Sequence, residues 1–294
     1  MARAEGGPFW WEDPPAFERV FRVTATGERG IPADLDGRRG RLGLWRAGVG
    51  VEATVPLNRC WTLGWTLHLE ESSYRFSDAD AVVAGPGRLM EEGIFARFTP
   101  TLEYRWPSGW GVRAGPIVQS AGATGARFED TLTWGGQASV RIPLGERTAL
   151  VLGASAQTTL EGALSFGPLL DFESSPPSTG RLHLEFLRSG ISGTGIRVGY
   201  DVTPRLSVGF LARYDRRDFR LADDDRVPGG VFRNARLAPG LDLRWLARPC
   251  VQLSAAAWLN VSDSFRFDDR NGDFVTDFGA APSPMIGLTL SVRF

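Results

Sequence analysis

Few side chains in this sequence are of the types that carry acid–base or nucleophilic chemistry. Histidine, the usual general base near neutral pH, occurs twice in 294 residues, as His68 and His183. His68 lies between Thr66 and Glu70 in an alternating segment, where a structural hydrogen bond is the simpler interpretation. His183 lies in a segment without a readable pattern, and we interpret it as an exposed loop residue. Because GxSxG, HExxH and glycine-rich phosphate motifs are also absent, we predict no catalytic residues, no cofactor and no enzyme.

One acidic segment resembles a metal-binding loop only superficially. Asp269, Asn271 and Asp273 occupy alternate positions, as in a calcium loop, but Phe274 stands where the EF-hand has glycine and Ala280 where it has its last ligand. A solvated acidic turn is the simpler interpretation, and these three residues are a weak metal candidate. The two cysteines, Cys60 and Cys250, have no CxxC or histidine neighbour and are predicted to lie about four strands apart. We therefore expect two free thiols.

The composition indicates many short strands. The chain has 36 Gly, 19 Pro, 10 Trp and 18 Phe, a mixture that suits turns and strands better than long helices. The formal net charge of −1 argues against nucleic acid as the main partner. All 33 basic residues are Arg, for which a codon bias is a sufficient explanation. No run of about 18 apolar residues is present, so no transmembrane helix is predicted.

Strict alternation of apolar and polar residues recurs along the chain. The last segment shows it most clearly, with one apolar row made of Ile286, Leu288, Leu290, Val292 and Phe294. Twelve such segments can be distinguished, joined by eleven connections. Five connections are tight and contain a proline (Pro56, Pro107, Pro143, Pro204 and Pro249), and six longer ones alternate with them. Residues 161–195 are interpreted as a long loop that holds a short helix or strand.

The polar face of these segments carries charges of both signs among Gly, Ser and Thr. Its charged members are Arg46, Glu52, His68, Glu70, Arg97, Glu103, Arg105, Arg113, Arg141, Arg197, Asp201, Arg213, Asp215, Asp242 and Arg244. A lumen wall of opposed Arg and carboxylates, in which small residues leave room for long ones, has this composition.

Aromatic residues cluster near the strand ends, as two membrane-interface girdles require. One predicted girdle lies beside the tight turns and consists of Trp61, Trp106, Trp110 and Trp245. The other lies near the long loops and consists of Tyr74, Phe76, Phe128, Phe219, Phe265 and Phe267. Large aromatics that fill a core are the alternative, notably for Trp65, Trp134 and Trp258.

These patterns predict an all-β fold: a single closed, antiparallel, up-and-down transmembrane β-barrel of about twelve strands, with short periplasmic turns and long extracellular loops. Residues 1–16 would form a segment before the barrel, and residues 17–294 the barrel itself. The predicted location is the bacterial outer membrane. The N-terminal residues lack the apolar stretch of a secretory signal, so either the sequence is a mature or mis-started form or the protein is not exported. A soluble β-sandwich is the alternative fold.

Two segments resemble a known family. YDRRDFRLADDDRVPGGVF, from Tyr214, and the residues from Leu237 to Asp273 are similar to an uncharacterised family of predicted outer-membrane β-barrels found largely in planctomycete bacteria. The similarity is clearest over residues 195–273. It implies a barrel in the envelope of a Gram-negative cell and assigns no functional residues.

The leading functional hypothesis is a porin-like barrel with a charged lumen that transports small polar solutes. Its expected partners are outer-membrane lipid, the barrel insertion machinery, which would recognise the C-terminal row from Ile286 to Phe294, and those solutes. The alternatives are a structural or surface-interaction barrel without transport, an outer-membrane hydrolase with His68 as the best candidate, and a soluble binding domain. Conductance in planar bilayers separates the first two.

Overall fold

The strands of a computed structural model account for most of the chain. The structure describes residues 19–78, 80–84, 86–145, 148–174, 182–189 and 193–294. Its strands are Val20–Gly30 (β1), Ala33–Asp34 (β2), Arg41–Pro56 (β3), Trp61–Phe76 (β4), Glu92–Arg105 (β5), Gly111–Ala123 (β6), Leu132–Pro143 (β7), Thr148–Thr158 (β8), Leu164–Ser174 (β9), Leu182–Ser189 (β10), Gly193–Thr203 (β11), Leu206–Arg220 (β12), Val231–Arg248 (β13), Val251–Asn260 (β14), Ser262–Asp268 (β15), Phe274–Ala280 (β16) and Ser283–Arg293 (β17). One short helix, Phe128–Thr131 (α1), lies between β6 and β7. Within the described ranges, no helix has the length and apolar character needed to cross a membrane.

The strands form one antiparallel, up-and-down sheet that curves into a ring. Neighbours in sequence pair from β3 to β9 and again from β10 to β13. β14 and β15 follow each other along β13, and β17 pairs with β14 on one side and β1 on the other. β1 pairs with β3, and β9 lies beside β10. Because the last strand pairs with the first, the sheet returns on itself.

The strand count corrects the prediction of about twelve. β2 extends β1 along β3, β15 extends β14 along β13, and β16 leads into β17, so the seventeen strands make fourteen passes. The two additional passes are β9 and β10, in the segment interpreted as a long loop. β9 carries Gly167 and Pro168 at its centre, and these residues interrupt the alternation that identifies a strand. The connections opposite the tight turns are also uneven, since only residues 159–163 and 269–273 separate two of these strand pairs.

Alternate residues of each strand lie on opposite faces of the sheet, and the apolar face points outward. Phe166, Trp134 and Leu288 are 73%, 69% and 68% exposed. The polar face points inward, because its side chains contact each other across the ring. Glu28 on β1, for example, bonds Arg213 on β12, although three other passes separate these strands. A sandwich buries its apolar rows between two layers, so the sandwich alternative is wrong.

The C-terminal row follows the predicted outward pattern. Ile286, Leu288, Leu290 and Phe294 are exposed on the outer face of β17 and just beyond it, and Val292 is half-buried. The role of this row in membrane insertion stays a prediction.

Aromatic side chains fill the interior at the end opposite the tight turns. We call this group the aromatic core; it consists of Tyr74, Phe219, Phe232, Phe265, Phe267 and Phe278, which make ring contacts at centroid distances of 4.9–6.5 Å. The connection between β4 and β5 covers it and buries Val82, Leu89 and Met90. Arg38 and Arg226 hold this connection by donating to the carbonyl oxygens of Val82 and Val83. The part of this end that holds the aromatic core is therefore packed and covered.

The aromatic core corrects half of the girdle prediction. Tyr74, Phe219, Phe265 and Phe267 are at most 1% exposed, and Phe76 is half-buried against Phe278, so these residues do not form an outer girdle. Their position in the strand explains the error: Tyr74 and Phe76 have the same parity as His68 and Glu70, which face inward. Phe128 is exposed on α1. The four tryptophans at the tight-turn end, Trp61, Trp106, Trp110 and Trp245, are 38–48% exposed on the outer side.

Candidate functional site

A belt of buried charges crosses the interior next to the aromatic core. We call it the charge belt; it consists of Glu28 on β1, Arg46 on β3, Glu70 on β4, Arg213, Asp215 and Arg217 on β12, and Arg236 on β13. Each of these side chains is at most 6% exposed. Opposite walls of the ring are thus joined by ion pairs that water does not reach.

The carboxylates of the charge belt accept from one, two or three arginines. Asp215 is held by Arg46, Arg217 and Arg236. Glu28 accepts bidentate bonds of 2.7 and 2.9 Å from Arg213 and a third of 2.8 Å from Arg236. Glu70 accepts bonds of 2.9 and 2.8 Å from Arg217. Bidentate, charge-assisted bonds are among the strongest polar contacts in proteins, so the belt holds its strands in a fixed arrangement.

Other polar side chains complete the belt. The Arg46 guanidinium donates to the Tyr74 hydroxyl at 3.0 Å and to the Asn234 side chain at 2.8 Å. His68 is 6% exposed, and its Nε2 lies 3.5 Å from Glu70. His68 is therefore part of the belt, and the arrangement places no nucleophilic side chain beside it among the described residues.

A second buried group lies between β10 and β13, nearer the tight turns. We call the tight-turn end of the ring its lower end and the opposite end its upper end. The second buried group is named the Arg197 cluster; it consists of His183, Glu185, Arg197, Asp201, Ser207, Asp242 and Arg244. Arg197 is fully buried, and its Nε lies 2.9 Å from both oxygens of Asp242. Its other nitrogens lie 2.7 Å from His183 Nε2, 3.1 Å from Glu185 and 3.0 Å from the Ser207 hydroxyl. The interpretation of His183 as an exposed loop residue is therefore wrong, because it lies buried on β10.

Two glycines make room for the Arg197 cluster. A Cβ at Gly199 would lie 2.1 Å from Arg197 Nη1 and 2.2 Å from His183 Nε2, and one at Gly209 would lie 2.4 Å from an oxygen of Asp242. Any larger residue at these positions displaces the buried charges.

A third group lies near the tight turns and is more open to water. Glu103 accepts from Arg105 through one oxygen and from Arg113 through the other, each with bonds of 3.1 and 2.7 Å. We call these three residues the Glu103 group. Arg141 donates to the Gly109 carbonyl, and Glu52 pairs with Arg22 at 3.1 Å. The Glu52 side chain is 45% exposed, so the lower interior is accessible to solvent.

All fifteen predicted charged residues lie in described strands, and the structure brings most of them into these three groups. Glu52, Arg97 and Arg141 belong to none of them. Sequence reasoning missed Glu28, Arg217, Asn234 and Arg236 of the charge belt and Glu185 of the Arg197 cluster. Strand parity could have identified some of these residues. Arg217, for example, lies two residues after Asp215 and four after Arg213, so all three share one face of β12. Glu28 lies one residue beyond the predicted end of its strand.

The other half of the interior has a different lining. Most inward residues of β6 to β9 are small or neutral and polar, although the apolar Ile117, Val151 and Leu169 and the charged Arg113, Arg141 and Asp171 lie on the same face. The small or neutral polar ones are Gln119, Thr133, Gln137, Ser139, Ser155, Gln157 and Gly167. We call this surface the small-polar wall. All of these residues except Thr133 keep partial contact with solvent. The upper end of β12 touches β6 through a bridge between Arg220 and Gly122, which separates this half from the aromatic core.

The described residues contain no group of three or more side chains suited to holding a metal ion. In the weak candidate loop, the Asp269 carboxylate instead accepts from the backbone N–H groups of Asn271 and Asp273, at 2.8 and 2.9 Å. It thereby stabilises a tight turn. Cys60 and Cys250 are free thiols, as predicted.

No protein-family model matches the chain, and no curated protein sequence matches it. Similar solved structures include an outer membrane channel from Pseudomonas putida F1, with 15% identity and a TM-score of 0.49 over 99% of this chain and 100% of that chain. A FadL homologue from Pseudomonas aeruginosa is 14% identical, with a TM-score of 0.48 over 94% and 90% of the two chains. The P. putida toluene transporter TodX is 9% identical, with a TM-score of 0.41 over 95% and 90%. Membership of the planctomycete family stays a prediction.

Proposed function

We propose that the protein is a β-barrel of the bacterial outer membrane and that one half of its interior is a narrow channel for small polar solutes. The observation that carries the proposal is the division of the interior. The charge belt and the aromatic core seal one half, while the residues of the small-polar wall other than Thr133 keep partial contact with solvent.

The outer surface supports the membrane location. Large apolar side chains are exposed around the ring on β4 to β9, on β11 to β13 and on β17. Exposure of so much apolar surface is unfavourable in water but not in lipid. The exposed tryptophans at the tight-turn end lie where an interfacial belt of a barrel is expected. Outer-membrane lipid and the barrel insertion machinery are the partners this location implies.

The lining of the open half supports transport of polar solutes. Hydroxyl and carboxamide groups exchange hydrogen bonds with a passing solute without holding it through full charges, which suits permeation. Below the charge belt, the inward residues Thr66 and Glu52 are also exposed to solvent or partly so. A wet vestibule at the tight-turn end therefore leads to the small-polar wall.

Two measurements test the proposal. Migration on a gel that shifts on boiling tests for a detergent-resistant barrel. Conductance of the full chain in planar bilayers tests for a channel, and Ser155→Trp should lower it strongly because the indole would fill the open half. Ala154→Trp is the matched control, since residue 154 is next to Ser155 and faces outward. Equal conductance of the two variants would show that solutes do not pass along this wall.

The second candidate function is a structural or surface-interaction barrel without transport. The extent of the buried charge belt favours it, because ion pairs that join opposite walls stabilise a barrel whether or not it conducts. Silence across a wide voltage range, with a correctly folded protein, would select this candidate. We propose no catalytic activity, because both histidines are engaged in charged groups.

A further inference from the structure

Arg97 differs from the other arginines that face the interior. Each arginine of the charge belt, the Arg197 cluster and the Glu103 group is bonded to a carboxylate. Arg97 is half-buried on β5 and makes no hydrogen bond or ion pair with any residue in the described part of the chain. Its positive charge is therefore not balanced by the protein around it.

The position of Arg97 is where the sealed and open halves meet. Its strand neighbours at the same level are His68 on β4 and Gln119 on β6. One step above it, the Phe95 ring is buried under the Arg217 guanidinium, 5.1 Å from its centroid. One step below it is Thr99, and Thr66, which pairs with Thr99, is exposed to the interior. Arg97 thus lies at the upper limit of the wet vestibule, directly beneath the packed region.

A row of neutral polar groups continues from Arg97 along the same level. Gln119 is next and also has no side-chain hydrogen bond within the described ranges. Thr133 pairs with Gln119 on β7, and its hydroxyl accepts from Gln157 Nε2 on β8 at 2.9 Å. The guanidinium of Arg97 and the carboxamide of Gln119 together offer unused N–H donors beside the small-polar wall.

We propose that Arg97 and Gln119 form an oxyanion-binding site at mid-height in the lumen, which takes carboxylate or phosphate groups of small solutes. A planar guanidinium presents two parallel N–H donors that match two oxygens of such a group. A partly desolvated, unpaired charge is unfavourable, and a bound anion offsets that cost. The role of this site in transport rests on the proposed channel, for which the site would make anionic solutes the preferred class. Binding of an anion to the site does not depend on conduction.

The test compares wild type with three variants of the full-length, folded protein in detergent, with inorganic phosphate as the probe in titration calorimetry. Wild type should bind phosphate saturably, and Arg97→Gln should weaken binding at least about tenfold, as the loss of a charged hydrogen bond predicts. Arg97→Lys should bind with intermediate affinity, because it keeps the charge and loses the paired donors. Arg113→Gln is the matched control: it removes the same charge from the adjacent strand, but Arg105 still holds Glu103, so binding should change less than about twofold.

Gel migration before and after boiling first confirms that each variant folds. Absence of phosphate binding by wild type, or equal binding by wild type and Arg97→Gln, would overturn the site. The reversal potential in a potassium chloride gradient adds the transport readout: wild type should prefer anions, and Arg97→Gln should lose that preference. If the protein is silent in bilayers but Arg97→Gln abolishes phosphate binding, the channel is refuted and the site stands. If the protein conducts but neither binding nor selectivity responds to Arg97→Gln, the site is refuted and the channel stands.

Discussion

Asp215 is the position where a single atom replacement tests the energetic role of the charge belt. Its carboxylate, 1% exposed, is shared by Arg46, Arg217 and Arg236, which come from three different strands. Asp215→Asn keeps the size of the side chain and removes its charge. The belt then holds four arginines against Glu28 and Glu70 alone, and the amide NH2 group of Asn faces a guanidinium where an acceptor is needed.

The expected loss follows from burial. Removing one partner of a buried ion pair costs about 3–5 kcal/mol, because the remaining charge stays buried without compensation. Each charge-assisted hydrogen bond contributes about 1.5–3 kcal/mol, and these contributions are not additive within one network. We therefore expect Asp215→Asn to lower the free energy of unfolding by about 3–5 kcal/mol.

The matched control lies three residues further along the same strand. Asp218 faces the opposite side of β12 and pairs with the exposed Arg216 at 2.9 Å. Asp218→Asn should cost about 0–1 kcal/mol, as exposed pairs do. Urea titration of the protein folded into lipid vesicles, followed by tryptophan fluorescence, measures both variants. An Asp215→Asn protein as stable as Asp218→Asn would show that the belt does not hold the barrel together.

Three further predictions test other parts of the structure. Gly209→Ala should sharply reduce the folded yield on a gel, because its Cβ would lie 2.4 Å from Asp242 Oδ1, whereas Gly27→Ala, with nothing within 4 Å, should fold normally. Leu241→Arg, at an outward position that is 65% exposed, should destabilise the protein in lipid vesicles by about 2–4 kcal/mol, and an unchanged urea midpoint would contradict a lipid-facing surface. Burial raises the pKa of Asp225, in the connection between β12 and β13, from 3.8 to about 6. Since the folded state favours the protonated acid, the connection should lose stability as pH rises from about 4 to 6, and Asp225→Asn should remove this dependence in hydrogen exchange.

The strands that sequence reasoning identified correctly have an uninterrupted period of two. β3, β4, β12 and β17 alternate apolar with polar or small residues over most of their length, so the two faces of each strand can be told apart in the sequence itself. β9 and β10 are short or interrupted, and the pairing that makes them strands comes from their neighbours across the sheet. Such pairing is a tertiary effect, and it could not be predicted from local alternation.

The polar face was predictable as a face, but not as three groups with different roles. Alternation places Arg46, Arg97 and Arg213 on one side of the sheet without indicating which carboxylates they meet. Arg46 meets Asp215, 169 residues away, because the ring brings β3 opposite β12. The isolation of Arg97 likewise depends on the positions of all the other charges, so no local pattern could have identified it.

The division of the interior follows from the reach of the inward side chains. On β12, the successive inward residues Arg213, Asp215, Arg217 and Phe219 are long, charged or aromatic, and they reach the opposite wall, where carboxylates and rings receive them. On β8, the corresponding residues include Gly153, Ser155 and Gln157. The side chains of Gln157 and Ser155 donate hydrogen bonds to β7 and β9, the strands on either side. Side chains of this length cannot fill a ring of fourteen passes, whose interior is wider than small residues span. The same sheet therefore packs its interior where the sequence places arginine and phenylalanine, and it leaves the proposed channel where the sequence places glycine, serine and glutamine.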